Sequence, residues 1–189
     1  KLFADGADLD GPADRPRLDV RHLQHHPEED ALGPVQQSEA LLLYAMARVC
    51  RPRVVVEFGF HNGDSARNFL AALPGGSVLH SYDVAEEART RAAELARSHP
   101  NFHFHHKSQA DFTRADVGTE PVDLVFFDAS HDLALNQATW NAVSPALRDR
   151  ALVVVHDTGT WHRRHFLPVH EDLVRTGDGR WLDENEYQH

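Results

Sequence analysis

A single cysteine, Cys50, stands in 189 residues. One thiol excludes an intrachain disulfide framework and a cysteine-built zinc cluster. Basic residues are also in deficit: 19 Lys and Arg face 29 Asp and Glu, a formal net charge of -10. Nucleic-acid affinity comes from Lys and Arg neutralising phosphates, so this balance argues against a general nucleic-acid binder. It argues equally against an anionic membrane surface as partner. No apolar run approaches the roughly 18 residues of a membrane span. No secretory leader is legible, which makes the cytoplasm the default location. Internal repeats and low-complexity tracts are missing too.

What is present is enough apolar material, 41% of the residues, to build a real core. The length suits one compact domain, since domains commonly run about 100–200 residues. Fifteen histidines permit metal chemistry without establishing it. The chain opens at Lys1 and stops at Glu-Tyr-Gln-His with no element clearly finished, so a trimmed or partial piece is expected. Residues 1–33 are polar and carry Pro12, Pro16, Pro27 and Gly33, which predicts an irregular N-terminal arm. Residues 34–189 form the expected domain.

Within that domain the hydrophobic period switches repeatedly. Leu42, Met46 and Val49 mark one face of a helix over Ser38 to Cys50. Val54-Val55-Val56 reads as a buried parallel strand. Ala66, Phe69, Leu70 and Leu73 have helical spacing, and Pro74-Gly75-Gly76 is a turn. Strands follow over Val78 to Tyr82, Phe102 to His106, Val122 to Phe127 and Ala151 to Val155. Helices are predicted over Ala85 to Ser98, over 132–147 and over Phe166 to Val174. Alternation of this kind predicts an α/β fold, a doubly wound parallel sheet with helices on both faces. Trp140 is expected to pack its helix on the sheet and Cys50 to be an inert buried thiol. His103, His105 and His106 read as a solvent face.

Ligands of such sheets sit beyond the carboxyl ends of the strands. Here every strand exit carries polar groups. The first is Glu57-Phe58-Gly59-Phe60-His61-Asn62-Gly63-Asp64-Ser65, either an ordinary strand-to-helix turn or one that approaches a ligand closely. A dinucleotide fingerprint would be Gly-x-Gly-x-x-Gly, and His61 stands where its second glycine belongs. Asp83 closes the second strand roughly 20 residues past the glycines, where a carboxylate can hold a ribose. A helix N-cap suits it as well. Ser108-Gln109-Ala110-Asp111 either receives the adenine amine or merely caps a loop. Two apolar strands deliver Asp128, and His156 with Asp157, to one edge. They could converge on a divalent cation such as Mg²⁺ or Mn²⁺.

The stretches 54–65, Tyr82-Asp83, Asp123 to His131 and Leu152 to Thr158 resemble those of class I S-adenosylmethionine-dependent methyltransferases. More closely, the chain resembles metal-dependent O-methyltransferases of antibiotic pathways, including macrolide sugar methyltransferases of the macrocin and mycinamicin type. The resemblance runs from about Gln36 to about Thr160. It implies that Gly59 and Gly63 border the methionine part of the cofactor, with Glu57 anchoring the turn. Ser38 and Ser65 would hold its carboxylate, Asp83 the ribose, and Ser108 with Gln109 the adenine. Asp128 would border the cofactor and, with Asp157, bind the metal. His131 would be the base. One position departs from the pattern: the residue before Asp157 is commonly acidic in such enzymes, and here it is His156. The resembled fold also has two further strands, for which the residues after Val174 are too few, leaving a sheet edge exposed or covered by a second subunit.

The expected reaction is methyl transfer from S-adenosylmethionine to a hydroxyl of a small molecule, a natural product or sugar, assisted by Mg²⁺ or Mn²⁺. Two other classes stay open. One is a nicotinamide-dependent oxidoreductase of the same architecture, against which the missing middle glycine speaks. The other is a repurposed or non-catalytic relative that uses the metal without methyl transfer.

Overall fold

The run Val54-Val55-Val56-Glu57-Phe58 forms β1 (Val54–Phe58), buried along its whole length as a central parallel strand must be. Around it lie β2 (Val78–Asp83), β3 (Phe102–His106), β4 (Val122–Phe127) and β5 (Leu147–Val155). This is a computed structural model, and it describes residues 22–25, 35–130 and 132–156. The helix expected over 166–174 lies outside the described residues. All neighbouring strands pair parallel, in the order β3-β2-β1-β4-β5. The crossovers are α2 (Asp64–Ala72), α3 (Glu86–Ser98) and α4 (Leu133–Val143), preceded by α1 (Gln37–Cys50). The doubly wound α/β expectation therefore holds. No helix among the described residues is long and apolar enough to cross a membrane.

Side-chain alternation divides the core in two. Val55, Leu79, Leu124 and Phe126 face α1, α2 and α3 through Ala47, Phe69 and Leu95. Val54, Val56, Phe58, Tyr82 and Val125 face the other way, onto Phe112 and Val143. Leu23 is buried in the first cluster, so part of the arm is docked. Asn68 of α2 holds it there, accepting from the Gln24 amide and donating to the Gln24 carbonyl, both at 2.8 Å.

Several local expectations are corrected. The buried face of α1 is Ala40, Leu43, Tyr44 and Ala47, whereas Leu42 and Val49 are exposed. Small residues at 40 and 47 let the helix lie close to the core, which leaves the larger apolar row outside. Cys50, the last residue of α1, is exposed rather than buried. Trp140 is 39% exposed because α4 turns Thr139 and Val143 inward. The fourth helix stops at Val143, where Ser144-Pro145-Ala146 tightens into a 3₁₀ turn. β5 then starts at Leu147, four residues before the expected Ala151, and its register shifts between Val122 and Leu124. Arg150 takes φ 66° within the extra length. His105 is no solvent-face residue: it stacks on Tyr82 at 4.5 Å, and its Nε2 meets His80 Nδ1 at 3.1 Å.

Candidate functional site

The strand order reverses between β1 and β4, and a doubly wound sheet opens its crevice at that switch point. Hydrogen bonds carry the sheet ladder past the strand ends. The Gly59 amide donates to the Tyr82 carbonyl at 2.9 Å, Asp128 to Phe58 at 2.8 Å, and His156 to Phe127 at 2.9 Å. Four chain exits are thus held side by side, and they contain most of the candidate residues.

Both glycines of the β1 exit have a packing reason. Gly59 has φ 99°, and a Cβ there would lie 2.2 Å from the Asp128 carbonyl oxygen. Gly63 has φ 79°, and its Cβ would lie 2.5 Å from the Phe60 ring. The backbone is drawn against β4 and against its own turn. Between them His61 adopts φ 46°. A left-handed conformation costs a side chain roughly 1–2 kcal/mol. His61 therefore places a Cβ where a dinucleotide turn has none.

Asp83 holds this turn. Its Oδ2 accepts from the Phe60 amide at 3.1 Å and the His61 amide at 2.8 Å, and its Oδ1 accepts from Ala85 at 2.9 Å. Asp83 is not the N-cap of α3, a position that Ala85 fills without a side-chain cap; its carboxylate holds backbone amides ahead of the helix. A carboxylate has about four acceptor positions, and three of them bind the backbone.

Glu57 is fully buried at the end of β1. The Ser81 hydroxyl donates to its Oε2 at 2.5 Å, and its Oε1 has no hydrogen-bond partner. Burial is the main cause that pushes this carboxyl up to about 8. The nearby Ser65 hydroxyl and the hydrogen bond from Ser81 oppose the rise, while the charges of Asp128 and Asp83 add to it. Ser65, in the first turn of α2, is itself buried.

After β3, Ser108 caps a 3₁₀ turn by accepting from the Ala110 amide at 3.3 Å. Gln109 is 5% exposed; its Nε2 donates to Asn136 Oδ1 at 2.8 Å, and its Oε1 is buried with no hydrogen-bond partner. Asn136 in turn donates to the Ser130 carbonyl at 2.6 Å. This α4 residue, which the sequence reading passed over, ties the β3 exit to the β4 exit. The β4 loop has its own cap, Asp132, whose Oδ1 accepts from Leu135 at 2.6 Å.

Asp128 and His156 do meet, with Oδ1 and Nδ1 3.0 Å apart. The other imidazole nitrogen, Nε2, lies 2.9 Å from Oε1 of Glu39. Glu39 also closes the capping box of α1, accepting from the Gln36 amide at 2.8 Å. It is the second residue that the sequence reading missed. It sits 117 positions from His156, and nothing in the local pattern of either stretch announces the pairing.

These donors do not fit a shared cation as they stand. A metal takes one nitrogen of an imidazole, with the carboxylates on the same side of the ion. Here the ring lies between two carboxylates, one at each nitrogen. Among the described residues no group of three His, Cys, Asp or Glu side chains is arranged to hold an ion. Asp157, His131 and the Ser38 side chain lie outside the described residues.

The family model described as "Methyltransferase domain" matches residues 56–158, more than half of the chain. No curated protein matches by sequence. Among solved structures, the chain is similar to a putative caffeoyl-CoA O-methyltransferase from Staphylococcus aureus, with 15% identity and a TM-score of 0.59 over 82% of this chain and 68% of that one. It is similar to the S-adenosylhomocysteine-bound methyltransferase PaMTH1 of Podospora anserina, with 14% identity and a TM-score of 0.55 over 76% and 67%. It is also similar to the O-methyltransferase TomG of Streptomyces achromogenes, involved in tomaymycin synthesis and solved with S-adenosylmethionine. That match has 23% identity and a TM-score of 0.53 over 77% and 70%.

Proposed function

We propose that this chain, which belongs to the methyltransferase-domain family, takes its methyl group from S-adenosylmethionine and places it on a hydroxyl of a small natural product or sugar. One observation carries the choice of cofactor. The switch point is bordered by the carboxylates of Asp83 and Asp128, with His61 in the left-handed turn. A pyrophosphate would be repelled by these carboxylates and kept away by the His61 Cβ. A sulfonium cofactor carries no phosphate and is attracted by the same charges. The nicotinamide reading is therefore not favoured.

The residues present fit this cofactor. Buried Gln109 Oε1, unpartnered, suits an exocyclic adenine amine, since a buried acceptor without a donor is costly. Asp83 keeps an acceptor position for a ribose hydroxyl. Ser65 and Ser38 stand for the cofactor carboxylate. When bound, the cofactor would supply an electrophilic methyl group to the acceptor hydroxyl, whose proton must then be taken up. The chain must hold that oxygen in line, about 3 Å from the methyl carbon, an alignment that lowers the barrier by several kcal/mol. We assign the proton to His131, the residue that follows Ser130 in the sequence. General bases contribute about 10²–10⁴-fold. No step is routed through a cation. The small-molecule hydroxyl acceptor rests on the likeness of residues 123–131 and 152–158 to antibiotic-pathway O-methyltransferases.

Isothermal titration with S-adenosylmethionine, S-adenosylhomocysteine and NAD tests the cofactor. The first two are expected to bind and NAD not to; NAD binding alone would overturn the reading. Methyl transfer to a diol-bearing glycoside or a phenol, with and without EDTA, tests the acceptor and any need for a metal. His131→Ala is expected to lose turnover and keep cofactor affinity, and full turnover would remove the base assignment.

A further inference from the structure

Among the described acidic side chains, Glu57 alone is buried, and no part of it is exposed. It stands two residues before Gly59, under the turn against which the cofactor is proposed to lie. Among the described residues no cationic side chain acts on it. Ser81 and Asp83 face it from β2, Ser65 from α2, and Asp128 from the end of β4. Arg67 of α2 is turned to the Asn62 carbonyl and to Asp64. Glu39 of α1 is engaged by Gln36 and His156. A buried carboxylate with two negative neighbours and no positive one is costly, so the carboxyl keeps its proton.

We propose that Glu57 is protonated while the pocket is empty and ionises when a cationic cofactor enters, so that the site favours the methyl donor over the demethylated product. The inference rests on the S-adenosylmethionine reading. Donor and product differ by the methyl group and one positive charge. Donor binding supplies the missing cation in a medium of low dielectric, where charges interact strongly. The Glu57 proton passes to solvent. Once the methyl group has left, the sulfur is neutral, Glu57 takes a proton back from solvent, and the product is held less tightly. The same carboxyl thus contributes to donor capture and to product release.

The test is a proton inventory by isothermal titration of the full chain, in buffers of different ionisation heat. Below about pH 8, S-adenosylmethionine binding is expected to release about one proton more from the wild type than from Glu57→Gln; its affinity should rise roughly tenfold per pH unit in the wild type only. Any ionisation of the ligand itself is common to both proteins and cancels. S-adenosylhomocysteine should show little difference between them. Should Glu57→Gln fail to fold, Ser81→Ala carries the test. It removes a hydrogen bond that favours the ionised carboxyl, and should move the donor's affinity profile to higher pH while the product's stays in place. Equal proton release with donor and product, or a release that survives Glu57→Gln, overturns the inference and leaves the cofactor reading standing. Binding of neither ligand removes that reading and the inference with it.

Discussion

The β1 exit and the paired β4 and β5 exits meet at the same crevice and are built differently. At β1 the polar contacts fix backbone: Asp83 accepts three amides, and Gly59 brings the turn against β4. At β4 and β5 they join side chains: Asp128 to His156, and His156 to Glu39. Such contacts restrain the backbone of the first region. The second keeps partly exposed charged side chains, where the proposed function would bring the acceptor. A transferase needs both, one end to hold its cofactor and another that can answer to the acceptor.

The largest effect expected follows from the first region. Gly59→Ala combines a left-handed φ with a Cβ overlapping the Asp128 carbonyl. Overpacking costs typically 1–3 kcal/mol and the conformation roughly 1–2 more, so a loss of about 3 kcal/mol or more is expected in urea unfolding. Gly76 is the control. It has φ 83° but nothing within 4 Å of its would-be Cβ. Gly76→Ala should lose only the conformational part, about 1–2 kcal/mol. Equal losses would mean that the contact between the β1 and β4 exits is not tight.

Next in size is Asp83→Ala. A hydrogen bond to a charged group contributes about 1.5–3 kcal/mol; the three amides that lose this acceptor are part-buried or exposed and turn to water, so the total loss is expected to stay within about that range. Stability and S-adenosylhomocysteine affinity should fall together, read by urea unfolding and titration calorimetry. Affinity that falls while stability holds would point to the ribose instead of the turn. Unchanged affinity would remove the ribose assignment.

This contrast also explains what was legible beforehand. The strands of the β1 half could be read because their cause is local: apolar runs, a glycine turn and an acidic residue one strand later. The fold class followed from the alternation. Side-chain partnerships across the chain were not legible. Glu39 belongs to a capping box that any helix could carry, and His156 looked like a replaced metal ligand. Only folding brings them within 2.9 Å. The buried face of α1 was misread for a related reason. Leu42, Met46 and Val49 satisfy the helical period, but so do Ala40, Leu43 and Ala47, and hydrophobicity alone does not say which row the sheet will accept.

A pH experiment sharpens the comparison from inside the sheet. His80, buried with His103 and His105 around it, is lowered from 6.5 to about 4, mainly by loss of solvation. Its neutral form is the folded one. That contribution is complete above 6.5 and is lost as pH falls toward 4. Glu57 acts oppositely, since its raised value favours the folded state below 4.5 and loses that advantage as pH rises toward 8. Stability followed by thermal melting should therefore decline at both ends of this range. His80→Phe should flatten the acid side only, and Glu57→Gln the alkaline side only. A variant that flattened neither side would show that its group is already ionised in the fold.

The smallest effect belongs to the second region. Glu39 and His156 are 2.9 Å apart with side chains 29% and 25% exposed. Solvent screens such a pair, and exposed ion pairs are typically worth about 0.2–1 kcal/mol. Glu39→Gln removes the charge and leaves one carbonyl oxygen in place of the two that now meet the imidazole and the Gln36 amide. It should lower stability by less than about 1 kcal/mol, and the loss should shrink as salt is raised. A double-mutant cycle with His156→Gln isolates the pair, because Glu39→Gln in the His156→Gln background then reports only what remains of the cap. Coupling within that range fits a solvent-reached junction at the β5 exit. Coupling several-fold larger and insensitive to salt would make this exit as restrained as the β1 exit and erase the distinction between the two.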